Sequence, residues 1–245
     1  MSASQPLKGR RPERVFLDAN IIRGQLTTDI LMSMAANKVL DPRWSERVMQ
    51  EARDHRPPNL TEEAINHRFD AMNGYFRHAM VTGFEHREAE MQTRDEDDQH
   101  VLAAAVHSGC ATLVTENDRD FKVSSVQPDA MHVERLSDFL NRKLDQQPGR
   151  VVAALRTMLN RNRENPRTMP ELIDTMAQQE ALKGFARELN QRMPPEQRGT
   201  AFSSPTAVAL EGIAPAEGAP TQQPRGSDAH RPQPAKADRD RGPEL

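Results

Sequence analysis

The stretch DEDDQHVLAAAVHSGCATLVTENDRDF, residues 95–121, places acidic clusters on both sides of an apolar segment. Four consecutive acids open it, and residues 101–106 and 112–114 then have the composition of a buried helix and a short buried strand. A second group of acids follows Thr115. Carboxylates that are crowded together repel one another, and such a crowd usually needs a cation beside it. At this point either a metal ion or water could meet that need.

The composition of the whole chain narrows the class of protein. Of its 245 residues, 36% are hydrophobic and 28% are charged, and the formal net charge of −3 favours no particular partner. The single Cys110 excludes an internal disulfide and a cysteine-based zinc site, and its apolar surroundings predict a buried, inert thiol. No stretch approaches the ~18 apolar residues of a membrane span, and the N-terminus lacks an apolar signal region. A cytoplasmic protein without membrane association is predicted.

Outward from the opening stretch, short apolar runs alternate with helical patterns. Strands are predicted at residues 14–17, 78–83, 112–114 and 131–133, and helices at 20–36, after the N-cap Ser45, from Asn59 and at 101–106. Short strands separated by helices indicate a parallel sheet that is covered on both faces. With right-handed crossovers, the pattern predicts a three-layer α/β/α sandwich.

The composition also divides the chain into four regions. A flexible N-terminus is expected at residues 1–13, the α/β domain at 14–142, a helical extension at 143–193 and a disordered tail at 194–245. Nine of the 18 prolines fall in this last region, which has few large apolar residues. Such a segment cannot bury enough surface to offset the entropy lost on ordering.

Polar residues recur where the strands end, which is where ligands bind in open α/β sheets. Asp98 begins the helix that leads into the strand at 112–114, and Glu51 lies on an early helix. The candidates are Asp18, Glu51, Asp98, Asn117, Asp118 and Asp120. Mg²⁺ or Mn²⁺ is the expected occupant of such an edge, because hard cations prefer carboxylate oxygens. A metal held there could orient a phosphodiester and activate a water molecule.

Each acid taken singly has an ordinary explanation. An Asp after a strand often caps a turn or a helix, and acids at residues 95–98 would be favoured by the helix dipole. Glu51 could lie on a solvated helix face. The combination of these acids in this order is much more specific than any one of them.

Four motifs carry a resemblance to a known family. RVFLDANII (14–22), WSERVMQEA (44–52), DEDDQHVLAAAV (95–106) and ATLVTENDRDF (111–121) resemble the successive motifs of PIN-domain ribonucleases, especially VapC-type toxins of toxin–antitoxin pairs. The resemblance covers residues 14–140. The segment NRENPRTMPELIDTM (162–176) is similar to an extension that some members carry.

The resemblance implies roles for the acids. Asp18 and Asp98 match metal ligands, although Asp97 competes with Asp98. Glu51 matches the acid that binds the metal through water or helps to activate the attacking water, with Glu46 as a competitor.

The fourth acid departs from the family pattern. Where the family has Thr-x-Asp, this chain has Thr115-Glu116-Asn117. Asn117 and Asp120 are predicted to form the local polar pair, and Asp118 remains an alternative.

The function implied by the resemblance is a Mg²⁺- or Mn²⁺-dependent endoribonuclease. It would act on RNA as a toxin neutralised by a small antitoxin protein, and a homodimer is a further expected partner state. Residues 141–167 hold seven Lys and Arg against two Asp and Glu. Arg156, Arg161 and Arg163 are predicted to contact the RNA backbone, with a solvated helix face as the alternative.

Two other functions stay open. A haloacid dehalogenase-type phosphatase would need a second Asp where this chain has Asn20, and a PIN-fold binding module could have lost catalysis, as Asn117 suggests. Trp44 and Tyr75 are predicted to serve in packing, with base stacking as the alternative. His100 and His107 are expected on the surface or in the core, without a role in catalysis.

Overall fold

The computed structural model describes residues 11–121 and 131–203, and in these ranges five parallel strands form one sheet in the order β3-β2-β1-β4-β5. The strands are β1 (Glu13–Leu17), β2 (Leu40–Ser45), β3 (Met80–Val81), β4 (Thr112–Val114) and β5 (His132–Glu134). The central strand β1 pairs Val15 with Pro42 on one side and with Thr112 on the other. All carboxyl ends of the strands therefore lie along one edge of the sheet.

Helices surround this sheet and form the C-terminal part of the described chain. They are α1 (Ala19–Ile22), α2 (Gln25–Ala36), α3 (Glu46–Asp54), α4 (Glu62–Tyr75), α5 (Gln99–His107), α6 (Leu136–Gln146), α7 (Pro148–Arg161), α8 (Met169–Ala177) and α9 (Glu180–Arg192). The predicted α/β fold with a short parallel sheet and a helical extension is confirmed. None of the helices in the described ranges has both the length and the apolar character that crossing a bilayer requires.

The strand β2 was not predicted. Its sequence, LDPRWS, interrupts the apolar pattern with Asp41 and Arg43, and Pro42 lacks the N–H that a central strand normally donates. Arg43 is nevertheless buried because its guanidinium donates two hydrogen bonds to the Asp41 carboxylate, at 2.6 and 2.9 Å. A local ion pair therefore allows a polar sequence to occupy the interior of the sheet.

The single helix predicted at residues 20–36 is two helices. The chain breaks at Gly24, where a Cβ atom would lie 2.6 Å from Thr27 Oγ1. The Thr27 and Thr28 hydroxyls donate to the carbonyls of Ile21 and Ile22, respectively, at 2.8 and 2.9 Å. These bonds occupy carbonyls at the end of α1, so α1 does not continue into α2.

Trp44 and Cys110 are buried, whereas Tyr75 is exposed. Trp44 is fully buried, donates from Nε1 to Asn73 Oδ1 at 2.9 Å and meets Phe76 edge to face. Tyr75 was also expected to pack. It is 72% exposed, but its ring meets Phe76 edge to face, with 4.9 Å between the ring centroids. Cys110 is buried as predicted, and burial raises its pKa to about 11.

At the amino end of the sheet, a network of charges fastens α6 to β1. Lys143 is 1% exposed, and both it and Arg142 contact the Glu13 carboxylate. Burial acts to raise the pKa of Glu13, but hydrogen bonds from Arg142, Lys143 and Thr112 outweigh it and lower that pKa to about 2. Glu13 is thus a charged anchor for the helical extension.

The segment 194–203 packs on the extension, although it was predicted to belong to the tail. Gly199 N donates to Asn190 Oδ1, and Ala201 N and the Thr200 hydroxyl donate to the Asp174 carboxylate, all at 2.8–2.9 Å. The tail boundary predicted at residue 194 was therefore placed too early. The predicted tail beyond residue 203 and the predicted flexible N-terminus up to residue 10 lie outside the described residues.

Candidate metal centre

Asp18 occupies the carboxyl end of β1, at the middle of the sheet edge. Its side chain is buried, and it caps α1 by accepting a hydrogen bond from Ala19 N at 2.6 Å. The other carboxylate oxygen accepts from Asn20 Nδ2 at 2.5 Å and from Thr115 Oγ1 at 2.7 Å. Burial raises the pKa of Asp18 despite these donors, and the Glu51 charge raises it further. The capping role expected of an isolated Asp is real, but it leaves the carboxylate buried near another acid.

Asn20 and Thr115 brace this carboxylate across two strands. Asn20 Nδ2 also donates to Thr115 Oγ1 at 3.1 Å, and Asn20 Oδ1 accepts from Glu116 N at the same distance. The first and last motifs of the resemblance are thereby joined at the ends of β1 and β4. Asn20 stands where a haloacid dehalogenase-type phosphatase needs its second Asp. An amide cannot act as a general acid, and here it positions Asp18.

Asp98 lies at the start of α5, but its side chain makes no capping hydrogen bond. Burial, followed by the charges of Asp18, Asp95 and Asp120, raises the pKa of Asp98 to about 6. Asp95, in contrast, does cap, because it accepts from Asp97 N at 3.1 Å. Stabilisation at a helix N-terminus therefore explains Asp95. The Asp98 carboxylate accepts no capping hydrogen bond and lies close to other acids.

Glu51 extends from α3 toward the same group of acids. Its Oε1 atom lies 2.8 Å from Nε2 of the buried His100 and 3.7 Å from Arg47 Nε. The alternative acid on this helix, Glu46, is exposed and pairs with Arg53 at 2.8 Å. The structure thus places Glu51, and not Glu46, beside Asp18.

The three candidates after β4 have different surroundings. Asn117 is exposed, and the Asp118 charge acts on Arg135, outside the acidic group. Asp120 is half-buried and close enough to raise the pKa of Asp98. It also borders a cavity of about 520 Å³. The lining residues of that cavity are Arg94, Asp95, Glu96, Asp97 and Asp120.

The acids are neighbours, but in the described residues their side chains do not form a complete metal coordination shell. Within residues 11–121 and 131–203, no group of three His, Cys, Asp or Glu side chains converges closely enough to hold a metal ion. The chemistry of the donors nevertheless fits a hard divalent cation, because several carboxylates face one another and the pKa values of two are raised. Asp18, Asp98, Glu51 and Asp120 are the residues that could hold it.

Sequence reasoning missed three contributors to this site. His100 was assigned to the surface or the core, and Thr115 and Arg94 were given no role. The strand-end position of Thr115 was a usable signal, because polar residues there face the ligand edge. His100 and Arg94 belong to no pattern of spacing, so only the contact between His100 and Glu51 and the lining of the cavity identify them.

The predicted RNA-contacting arginines lie on or after α7, which packs against α2. Arg156 donates to Gln197 Oε1 at 3.0 Å, and Arg161 donates to Ser33 Oγ at 3.3 Å. Arg163 is exposed. Among the contacts of the described residues, none joins these arginines to the acidic group, so their role in binding RNA stays a prediction.

Two family models match the chain. Residues 14–119 match the PIN domain, and residues 137–191 match the VapC50 C-terminal domain. Searches of curated proteins and of solved structures gave no significant match. The first match spans every acid at the sheet edge up to Asp118, and the second covers α7, α8 and most of α6 and α9. The chain therefore contains a PIN domain, followed by a segment that matches the C-terminal domain of VapC50.

Proposed function

We propose that this protein is a divalent-metal-dependent endoribonuclease and the toxin of a toxin–antitoxin pair. One observation carries the proposal: Asp98, uncapped and with a pKa of about 6, lies beside the buried Asp18 where β1 ends. Repulsion between partly desolvated carboxylates lowers the stability of the folded protein, and a cation between them would remove that repulsion. The two family matches support a nucleic acid as the substrate.

The side chains divide the work as follows. Asp18 and Asp98 would hold Mg²⁺ or Mn²⁺, and Asp120 would take the place of the acid that Asn117 cannot supply. Glu51 would bind the metal through water or would accept a proton from the attacking water. When bound, the metal supplies charge that orients the phosphodiester and stabilises its transition state.

Arg94 supplies positive charge where the substrate needs it. The acidic cavity wall would repel RNA, and Arg94 is the cation that lines this wall. Its backbone is fixed next to the site, because Arg94 N donates to Asp120 O at 2.6 Å. A phosphate of the RNA that entered this cavity would therefore meet a guanidinium close to Asp120.

The test is cleavage of a single-stranded RNA by the full chain, with Mn²⁺, with Mg²⁺ and with EDTA. Cleavage by the wild type should need a divalent metal, and it should fall at least a hundredfold in Asp18→Asn and in Asp98→Asn. Glu46→Gln is the matched control, since it removes an exposed carboxylate from α3 and should cleave as the wild type does. Cleavage that survives in both Asp variants, or in EDTA, would refute the proposal.

An inactive binding module is the second candidate, favoured by Asn117 and by the absence of an assembled ligand group in the described ranges. It predicts RNA binding without cleavage under all metal conditions. The toxin role is tested separately: expression should arrest growth, the Asp18→Asn variant should not, and co-expression of a small cognate antitoxin protein should restore growth. A homodimer and a place in the cytoplasm remain predictions.

A further inference from the structure

His100 is a buried histidine at the start of α5 that contacts the acidic site. Its side chain is 1% exposed, and Nε2 lies 2.8 Å from Glu51 Oε1. Nδ1 is buried as well, and it has no hydrogen-bond partner within the described ranges. One nitrogen thus faces a carboxylate and the other faces the protein interior.

The contact determines where the imidazole carries its proton. If Nε2 were the unprotonated nitrogen, its lone pair would point at the Glu51 carboxylate and repel it, so Nε2 carries hydrogen in the neutral and in the charged ring. Nδ1 then remains a buried polar atom without a partner, which costs stability. An apolar side chain of similar size would avoid that cost, so packing alone does not account for a histidine here.

Glu51 has a second cation within reach on the solvent side. Arg47 lies one turn earlier on α3, with Nε 3.7 Å from the same Oε1 atom, and its side chain is 48% exposed. A glutamate with a partly exposed side chain would otherwise sample several rotamers. The contact with His100 favours the rotamer that keeps the carboxylate near Asp18.

We propose that His100 is a positioning residue that holds the Glu51 carboxylate through Nε2–H in the orientation needed to bind the divalent metal. This inference rests on the proposed function, because it assumes that Glu51 serves a metal. His100 itself touches neither substrate nor metal in this scheme. It acts only through Glu51, as partners of metal ligands commonly do.

Substitutions that mimic one ring nitrogen at a time test the proposal. The amide nitrogen of Gln reaches the place of Nε2, whereas that of Asn reaches only the place of Nδ1. His100→Gln should therefore keep the Mn²⁺ affinity within about threefold of wild type, and His100→Asn should lose about tenfold or more, as measured by calorimetric titration of the full chain. His107→Gln, on the exposed face of the same helix, is the control and should match the wild type.

A double-variant comparison shows whether His100 acts through Glu51. In the Glu51→Gln background, His100→Asn should change the Mn²⁺ affinity by less than about twofold, because the group that it positions is gone. His100→Leu should lose Mn²⁺ affinity while its melting temperature without metal equals or exceeds that of the wild type. If His100→Leu does not fold, the Gln and Asn variants decide the matter.

Several results would overturn the inference. One is an equal loss of Mn²⁺ affinity in His100→Gln and His100→Asn, and another is wild-type Mn²⁺ affinity in every His100 variant. The third is that the effects of the His100 and Glu51 substitutions on Mn²⁺ affinity are independent of each other. A wild type that binds no Mn²⁺ would refute the proposed function as well. A wild type that binds Mn²⁺ and loses it on Asp18→Asn, but not on His100→Asn, would refute this inference alone.

Discussion

In the metal-free protein, the Asp98 carboxylate is repelled by neighbouring carboxylates. Its pKa of about 6 stands well above the ordinary value of 3.8, first because of burial and then because of the charges of Asp18, Asp95 and Asp120. The folded chain therefore holds a proton on Asp98 more tightly than the unfolded chain does. Between about pH 4 and pH 6, this difference lowers the stability of the metal-free protein as the pH rises.

Asp98→Asn should remove that loss. At pH 7.5 without metal, the variant should be more stable than the wild type by about 1 kcal/mol, a figure reduced for the partial exposure of the site. At pH 4, where Asp98 is largely protonated in the wild type, the advantage should nearly vanish. Urea denaturation in EDTA at the two pH values measures it, and an equal difference at both would contradict the assigned pKa.

The residues of the site were predictable to different degrees. Asp18, Asp98 and Glu51 stand in motifs with a defined order, and the structure brings them near one another. The choice among Asn117, Asp118 and Asp120 depended on the path of a short 3₁₀ turn, Asp118–Asp120, which local sequence does not specify. His100 resembles any histidine of an apolar helix until its contact with Glu51 is known.

The elements of the fold depend on anchors at the two edges of the sheet. At the carboxyl edge, Asn20 and Thr115 join the ends of β1 and β4. At the amino edge, Glu13 holds Arg142 and Lys143 of α6. These bonds join residues that are far apart in sequence. The sequence pattern therefore predicted most of the elements but not the side-chain contacts between them. It also missed β2, whose charged and proline-containing sequence is buried through its own ion pair.

Glu13→Gln should destabilise the protein by about 3 kcal/mol near neutral pH, because Lys143 is left buried without its counter-charge. The pKa of Glu13 falls from 4.5 to about 2 on folding, so this contribution is complete above about pH 4.5. It is lost as the pH falls through about 2. Chemical denaturation measures the effect.

Adding Lys143→Met to Glu13→Gln is the matched control. The double variant should recover part of the lost stability, since it removes the unpaired buried cation and keeps the packing volume. A double variant that is less stable than Glu13→Gln alone would show that the lysine stabilises α6 without Glu13.

The segment 194–203 is an element that composition obscured. Its prolines resemble those of the following region, yet Gly199, Thr200 and Ala201 hydrogen-bond to α8 and α9. Truncation after residue 203 should leave the melting temperature within about 2 °C of the full chain, because the composition beyond that point cannot support packing. Truncation after Arg192 should lower it by about 5 °C or more. Equal melting temperatures for both truncations would show that these contacts contribute no stability.

At the scale of the whole molecule, charge is distributed unevenly. Under the proposed function the acidic site would have to accept a polyanion, and the excess of basic residues lies in the segment 141–167. If RNA crosses from the site to this segment, its phosphates release counterions there and binding weakens as salt rises.

Reversing Arg156 and Arg163 to Glu should weaken RNA binding and flatten its dependence on salt. Arg161 is left in place because it contacts Ser33. Reversing the exposed Lys38 and Arg77 changes the net charge equally and should leave the slope unchanged. RNA affinity at several salt concentrations measures both, and identical slopes for the two variants would place the RNA path elsewhere.

The central claim is that a divalent cation binds among the carboxylates at the end of β1 and β4. Diffraction from crystals soaked in Mn²⁺, with an anomalous difference map, tests it directly. One strong peak is expected beside the carboxylates of Asp18 and Asp98. A map without a peak there at saturating Mn²⁺, or with its strongest peak at another site, would contradict it.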